Sequence, residues 1–110
     1  IDFATEEGRG IGCEEPCEIT YNKINMYFVY VLKSLRDGNF YIGYTHDLKK
    51  RLREHNEGIS KSTMYRRPFE LIYFEGCVNI KDAMHREKYL KTTYGHRYIR
   101  NRLKNYLENL

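Results

Sequence analysis

Arg51 and His55 stand four residues apart in a stretch of helical period, so both project from one face of a helix, beside the apolar pair Leu48 and Leu52. A guanidinium and an imidazole held together can grip a phosphate and move a proton. Taken alone, the same pair is also what an ordinary solvated helix face carries. Tyr30 lies in an apolar, β-branched and aromatic segment, and Tyr41 lies in the next, followed directly by Ile42-Gly43. Gly43 removes a side chain where another backbone or a ligand can approach closely. In a chain with 11 tyrosines, two such residues are equally at home as core aromatics. Glu87 is an acid on a helical face otherwise formed by Ala83, Met84 and Leu90. A carboxylate buried there without a partner would cost stability, so its position asks for one.

These residues need a scaffold that brings them together, and the pattern supplies it. Met26–Leu35 (MYFVYVLKSL) reads as a buried strand, and Arg36-Asp37-Gly38-Asn39 carries the Asp-Gly signal of a tight hairpin. Phe40–Thr45 returns as the second strand. From His46 the period becomes helical, with Thr45 or Asp47 available as cap and Gly58 as the stop. Residues 58–68 form a basic loop closed by Pro68, and Phe69–Cys77 is the third strand. Asn79 caps a second helix, with Asp82 three residues on, and Gly95 is expected to end it. A last helix, roughly Arg97–Leu107, should bury Ile99, Leu103, Tyr106 and Leu107. The order β-β-α-β-α-α predicts a small α+β fold, a three-stranded antiparallel sheet flanked by helices.

The chain's 110 residues, 41% hydrophobic and 15% aromatic, suit one domain with a single modest core. Its net charge of +4 is unevenly spread. Residues 1–25 hold six acids (Asp2, Glu6, Glu7, Glu14, Glu15, Glu18) against Arg9 and Lys23, and the remainder holds 17 basic and 9 acidic residues. The acidic, aperiodic segment 1–25 is expected to be an extended or disordered leader, and 26–110 the folded domain. A compact domain of charge +8 points to a polyanionic partner, because cations near phosphates release condensed counterions. Simple solubility is the bland alternative. Cys13, Cys17 and Cys77 lack the second pair of ligands that a zinc site needs, and Cys77 is expected to be a reduced, buried hydrophobe. No apolar run is long enough to span a membrane and the first residues lack a secretory signal, so a soluble, cytoplasmic protein is expected.

Tyr30, then Tyr41-Ile42-Gly43, then Arg51 and His55, with Glu87 in the segment HREKYLK, resemble the GIY-YIG nuclease superfamily. The segments YIGYTHDLKKRLREHNEG, RRPFELIYFE and REKYLKT are most similar to the small stand-alone bacterial members related to the N-terminal nuclease domain of the excision-repair nuclease. The likeness covers about 26–107. Phe28-Val29 replaces the Gly-Ile of the first motif, Tyr44 and Thr45 stand where some members have a lysine, and Asn101 is the candidate for an asparagine that often follows the metal-binding glutamate.

The resemblance implies a metal-dependent endonuclease acting on nucleic acid, DNA favoured over RNA, with a role in DNA repair and in bacteria an association with the nucleoid. It implies one divalent cation, Mg2+ or Mn2+, on Glu87, and Tyr30 as general base. Tyr41 would position water or phosphate, Arg51 would clamp the phosphoryl charge, and His55 would orient Tyr30 or shuttle its proton. Nearby cations would help Tyr30 lose its proton. Gly43 and Asn101 would shape the site, and Lys49, Lys50, Arg53, Lys61, Arg66 and Arg67 would lie along the phosphate backbone. The alternative from another class is a catalytically weak nucleic-acid-binding module of the same fold; a protein-interaction domain would show no salt-dependent DNA binding at all.

Overall fold

A computed structural model describes residues 25–110; nearly all of the expected leader falls outside the described residues. Three strands, β1 (Tyr27–Ser34), β2 (Phe40–Thr45) and β3 (Phe69–Cys77), form one antiparallel sheet in the order β2-β1-β3. Among the described residues four helices follow the scheme β1-β2-α1-β3-α2-α3-α4: α1 is Leu48–Glu57, α2 Ile80–Leu90, α3 Thr93–Arg102 and α4 Lys104–Glu108. The α+β architecture expected from the sequence is the one observed, with the last expected helix divided in two.

Alternation along the central strand β1 splits the interior into two layers. Val29 and Val31 point to one side, where they join Ile42, Ala83, Leu90 and Ile99 beneath α2 and α3. Tyr30 and Leu32 point to the other side and pack with Phe69, Tyr41, Leu48, Leu52 and Leu71 beneath α1. Burying a residue such as Leu32, Leu90 or Ile99 contributes about 1.5–3 kcal/mol each. A bulge opposite Val31 and Leu32 inserts Ile72 as an extra residue in β3, so Ile72 and Tyr73 both pack on the α2–α3 side.

Local chemistry sets the element ends. Ser34 Oγ accepts from the backbone N–H groups of Arg36 and Asp37, Asp37 Oδ1 accepts from Asn39 N–H, and Gly38 takes the positive φ of 76° that closes the hairpin. Asp47 caps α1 by accepting from Lys50 N–H at 3.1 Å, and Gly58 ends it in the left-handed conformation. Asn79 caps α2 as expected.

Four expectations need correction. Met84 is 39% exposed, because the buried stripe of α2 runs only through Ala83 and Leu90, with Glu87 at its margin. Cys77 is only partly buried. The last helix is not continuous: α3 starts at Thr93 and the chain breaks at Leu103 before α4, where Leu103, Tyr106 and Leu107 are half-buried rather than buried. Gly95 does not end α2. It lies inside α3, whose cap is Thr92, and a Cβ there would run into the carbonyl oxygen of Tyr89 and the Cα of Leu90. Ordinarily alanine improves on glycine within a helix by up to about 1 kcal/mol. Here the neighbour is backbone that cannot rotate away, so Gly95→Ala should destabilise the fold by ~2 kcal/mol or more. A urea melt checks this through a lowered midpoint at unchanged slope.

Candidate active site

The two layers meet their chemistry at Tyr30. Its register partner across β1–β2 is Gly43, and a Cβ on Gly43 would stand 2.5 Å from the Tyr30 hydroxyl. The missing side chain therefore makes room for the phenol of Tyr30, which crosses over β2. Beyond it the Tyr30 hydroxyl meets His55 Nε2 at 3.0 Å. The helical period carries His55 onto the inner face of α1, and it is fully buried there, not part of a solvated face. Tyr41, Tyr30 and Phe69 enclose the imidazole, with ring centroids at 4.9, 5.9 and 6.0 Å.

One turn earlier on α1, Arg51 is one-third exposed and donates to Glu54 Oε1 at 3.0 Å. Its charge reaches the Tyr30 hydroxyl. Glu87 comes from the opposite layer, on α2, which packs against β1 and β2. Its side chain is 16% exposed and ion-paired with Lys91, 3.0 Å away and itself half open to solvent. Its negative charge is felt at Tyr30.

Burial dominates the proton affinities. It pushes the Tyr30 hydroxyl from 10.0 up to about 12; Arg51 opposes the rise, and Tyr41 and Glu87 add to it. The sequence-based expectation that cations lower this value holds for Arg51 but is outweighed. Burial also holds His55 down at about 4, with Arg51 assisting and Glu54 opposing. Below pH 6.5 the unfolded imidazole binds a proton that the folded one refuses until about pH 4. Stability contributed by neutral His55 is thus complete above pH 6.5 and falls as pH drops toward 4. Thermal melts across that range should show a declining Tm, with a shallower decline in His55→Gln.

Several polar residues at the site were not foreseen. Thr63, in the loop after α1, is fully buried and its Oγ1 lies 2.8 Å from His55 Nδ1. Asn56, beside His55, accepts from Phe69 N–H at 2.7 Å and donates to Phe69 C=O at 3.2 Å, which clamps the end of α1 to the start of β3. The Asn56 side chain had a readable signal, an amide next to a helical histidine. Thr63 had none.

The expected nucleic-acid residues divide. Lys49, Lys50, Arg53 and Lys61 are exposed. Arg67 is exposed too, and its guanidinium lies against the Gly58 turn. Arg66 is committed to the fold: it pairs with Asp37 at 2.8 Å, donates to Phe40 C=O at 3.4 Å and covers the Phe69 ring at 5.5 Å. That guanidinium holds the Asp37 carboxyl down at about 2. Asn101 is exposed on α3, in an open groove with Tyr94, Arg97 and Lys104.

A three-stranded sheet with a tyrosine over the glycine of Tyr41-Ile42-Gly43, and a helical arginine and histidine behind it, defines a GIY-YIG domain. The GIY-YIG catalytic domain family matches residues 26–102, and the chain belongs to that family. Among its relatives are the UPF0213 protein YazA of Bacillus subtilis, 46% identical over 68 residues, which cover 61% of this chain and 68% of that one. A UPF0213 protein of Bacillus pumilus is 51% identical over 71 residues, 64% of this chain and 70% of the relative. Another from Streptococcus pneumoniae is 46% identical over 65 residues, covering 58% and 65%. The fold is thus that of a nuclease domain. Among the described residues no helix is long and apolar enough to cross a membrane.

The donor set also bears on the implied cation. Among the described residues no three His, Cys, Asp or Glu side chains gather to form a metal cage. Glu87 offers a single hard carboxylate, 16% exposed, whose charge raises the proton affinity of Tyr30. One carboxylate with water and substrate oxygens is how Mg2+ is commonly held at phosphoryl sites, because it dehydrates reluctantly. A single carboxylate of this kind fits such an ion.

Proposed function

We propose that this protein is a divalent-metal-dependent endonuclease that hydrolyses phosphodiester bonds in nucleic acid, DNA in preference to RNA. The observation that carries the reading is the buried Tyr30–His55 pair at 3.0 Å, set over Gly43 with Arg51 and Glu87 both felt at the phenol. Glu87 would hold one Mg2+ or Mn2+, which when bound supplies positive charge to the leaving 3′-oxygen and lowers the proton affinity of Tyr30.

The chain's own residues do the rest. Arg51, one-third exposed and held to Glu54 through Nη1, binds the non-bridging phosphate oxygens. Tyr41, edge-on to the imidazole at 4.9 Å, positions the attacking water. Tyr30 takes a proton from that water as the new P–O bond forms and the P–O3′ bond breaks; its own proton moves toward His55, and the departing 3′-oxygen takes a proton from solvent. With about 12 on one side and about 4 on the other, the proton rests on Tyr30 in the free protein, and positive charge beside the phenol, which Arg51 supplies, is what eases its release.

Incubation with duplex, nicked, flap, junction and single-stranded DNA, and with matching RNA, tests the activity. Strand scission that needs Mg2+ or Mn2+ supports it; salt-dependent binding with no scission would leave a binding module instead. Substrate binding should run through Lys49, Lys50 and Arg53, all exposed on α1. Replacing all three with glutamine should weaken binding and lower the log–log salt slope by roughly 1 for each phosphate no longer neutralised. Fluorescence anisotropy between low and moderate salt reads both, and an unchanged slope would remove α1 from the binding surface.

A further inference from the structure

We infer that Thr63 is a positioning residue that fixes the tautomer of His55, leaving Nε2 bare to face the Tyr30 hydroxyl. The inference rests on the nuclease reading for its consequence to rate, but not for the tautomer itself.

Three groups in line share few protons. Tyr30, His55 and Thr63 are 2%, 0% and 0% exposed, so the side chains must satisfy one another. His55 Nε2 is 3.0 Å from the Tyr30 hydroxyl and Nδ1 is 2.8 Å from Thr63 Oγ1. Thr63 Oγ1 also lies 3.4 Å from the carbonyl oxygen of Ser60. With the proton on Nδ1, three bonds form: Nδ1–H donates to Thr63 Oγ1, the Thr63 hydroxyl donates to Ser60 C=O, and the Tyr30 hydroxyl donates to Nε2. With the proton on Nε2, only two form. Thr63 would donate to Nδ1 and Nε2–H would donate to Tyr30 Oη, which strips the Tyr30 hydroxyl proton of its acceptor in the cluster. A buried donor without a partner costs about 1–3 kcal/mol, so the Nδ1–H tautomer prevails. A neutral His55, as burial dictates, makes the choice of tautomer a real one.

The loop places the hydroxyl. Thr63 N–H donates to Ser60 C=O at 3.2 Å and Arg66 N–H donates to Thr63 C=O at 2.9 Å, a tight turn that presents Oγ1 to the imidazole. Ser60 C=O, already holding the backbone N–H, is the acceptor that gives the hydroxyl proton somewhere to go. Thr63 therefore touches neither water nor phosphate and acts through His55.

Long-range 1H–15N NMR on the free protein at pH 7.5 reads the tautomer directly, with the His55 signals identified by their loss in His55→Gln. Wild type and Thr63→Ser should both show Nδ1–H with Nε2 unprotonated. Thr63→Val, which keeps the shape and removes the hydroxyl, should erase the preference for Nδ1–H, because either tautomer then leaves one buried donor unpaired, so Nε2–H should appear beside Nδ1–H. Its kcat for cleavage should fall by about tenfold at unchanged KM, well below the ~10⁴ that a wholly wrong tautomer costs where the orienting group is a buried carboxylate. Thr63→Ser should cleave within about twofold of wild type. An Nε2–H tautomer in wild type overturns the inference, as does a Thr63→Val protein that shows Nδ1–H alone or keeps full cleavage. The NMR arm needs no substrate, so a protein that cuts no nucleic acid would sink the nuclease reading while the tautomer is still decided.

Discussion

Tyr30→Phe is expected to lose cleavage by about 10²–10⁴-fold, the scale of removing a positioned general base, with nucleic-acid affinity nearly unchanged. The ring keeps its place over Gly43 and against Tyr41, so the sheet and the aromatic enclosure persist. What disappears is the oxygen that takes the water's proton and donates to His55 Nε2 at 3.0 Å. That nitrogen is then buried without a partner, a cost of about 1–3 kcal/mol. The melting temperature should drop by several degrees. The two readouts separate the roles: a stability loss of that size alone cannot remove two or more orders of magnitude of turnover at a temperature where the variant stays folded. Wild-type cleavage in Tyr30→Phe would assign the base to another group.

Glu87→Gln should lose cleavage by on the order of a hundredfold or more, the effect of removing one major transition-state charge stabiliser. Its fold should persist. The ion pair to Lys91 that it gives up involves a partner half open to solvent and is worth less than about 1 kcal/mol. An amide is also less costly than a carboxylate to keep at 16% exposure. A second readout does not depend on turnover. A ligand that binds only the folded state raises Tm, so millimolar Mn2+ should stabilise the wild type and leave Glu87→Gln unmoved. Equal stabilisation of both proteins would place the ion elsewhere.

Much of this fold could be read from the sequence because its signals are local. The apolar runs of β1 and β2, the Asp37-Gly38 turn, the Asp47 and Asn79 caps and the Gly58 stop each act within a few residues. Gly95 misled because a glycine after a helical stripe looks like a terminator. Its cause is non-local, the close approach of the α3 backbone to the end of α2. Arg66 looked like a loop cation free to meet phosphate, yet its partner Asp37 lies 29 residues away across the hairpin.

The site followed the same division. Spacing placed Arg51 and His55 on one face, and family likeness tied them to Tyr30, Tyr41 and Glu87. Composition could not say that His55 is buried, since a 3.6-residue period gives the face but not the depth of packing. Thr63 sits in an aperiodic basic loop, where one threonine among Ser60, Ser62 and Thr63 has no mark of burial. Its selection comes from the fold of the 58–68 loop back onto α1. The direction of the Tyr30 shift was equally hidden, because it depends on burial outweighing Arg51.

Metal-dependent scission through Glu87 is tested most directly by single-turnover cleavage of an end-labelled DNA panel. Wild-type protein is run in parallel with Mg2+ and with EDTA, beside Glu87→Gln in Mg2+. Strand scission is expected from wild type in Mg2+ alone, with a rate lower by on the order of a hundredfold or more in Glu87→Gln. Scission that persists in EDTA, or proceeds at the wild-type rate in Glu87→Gln, would contradict the mechanism.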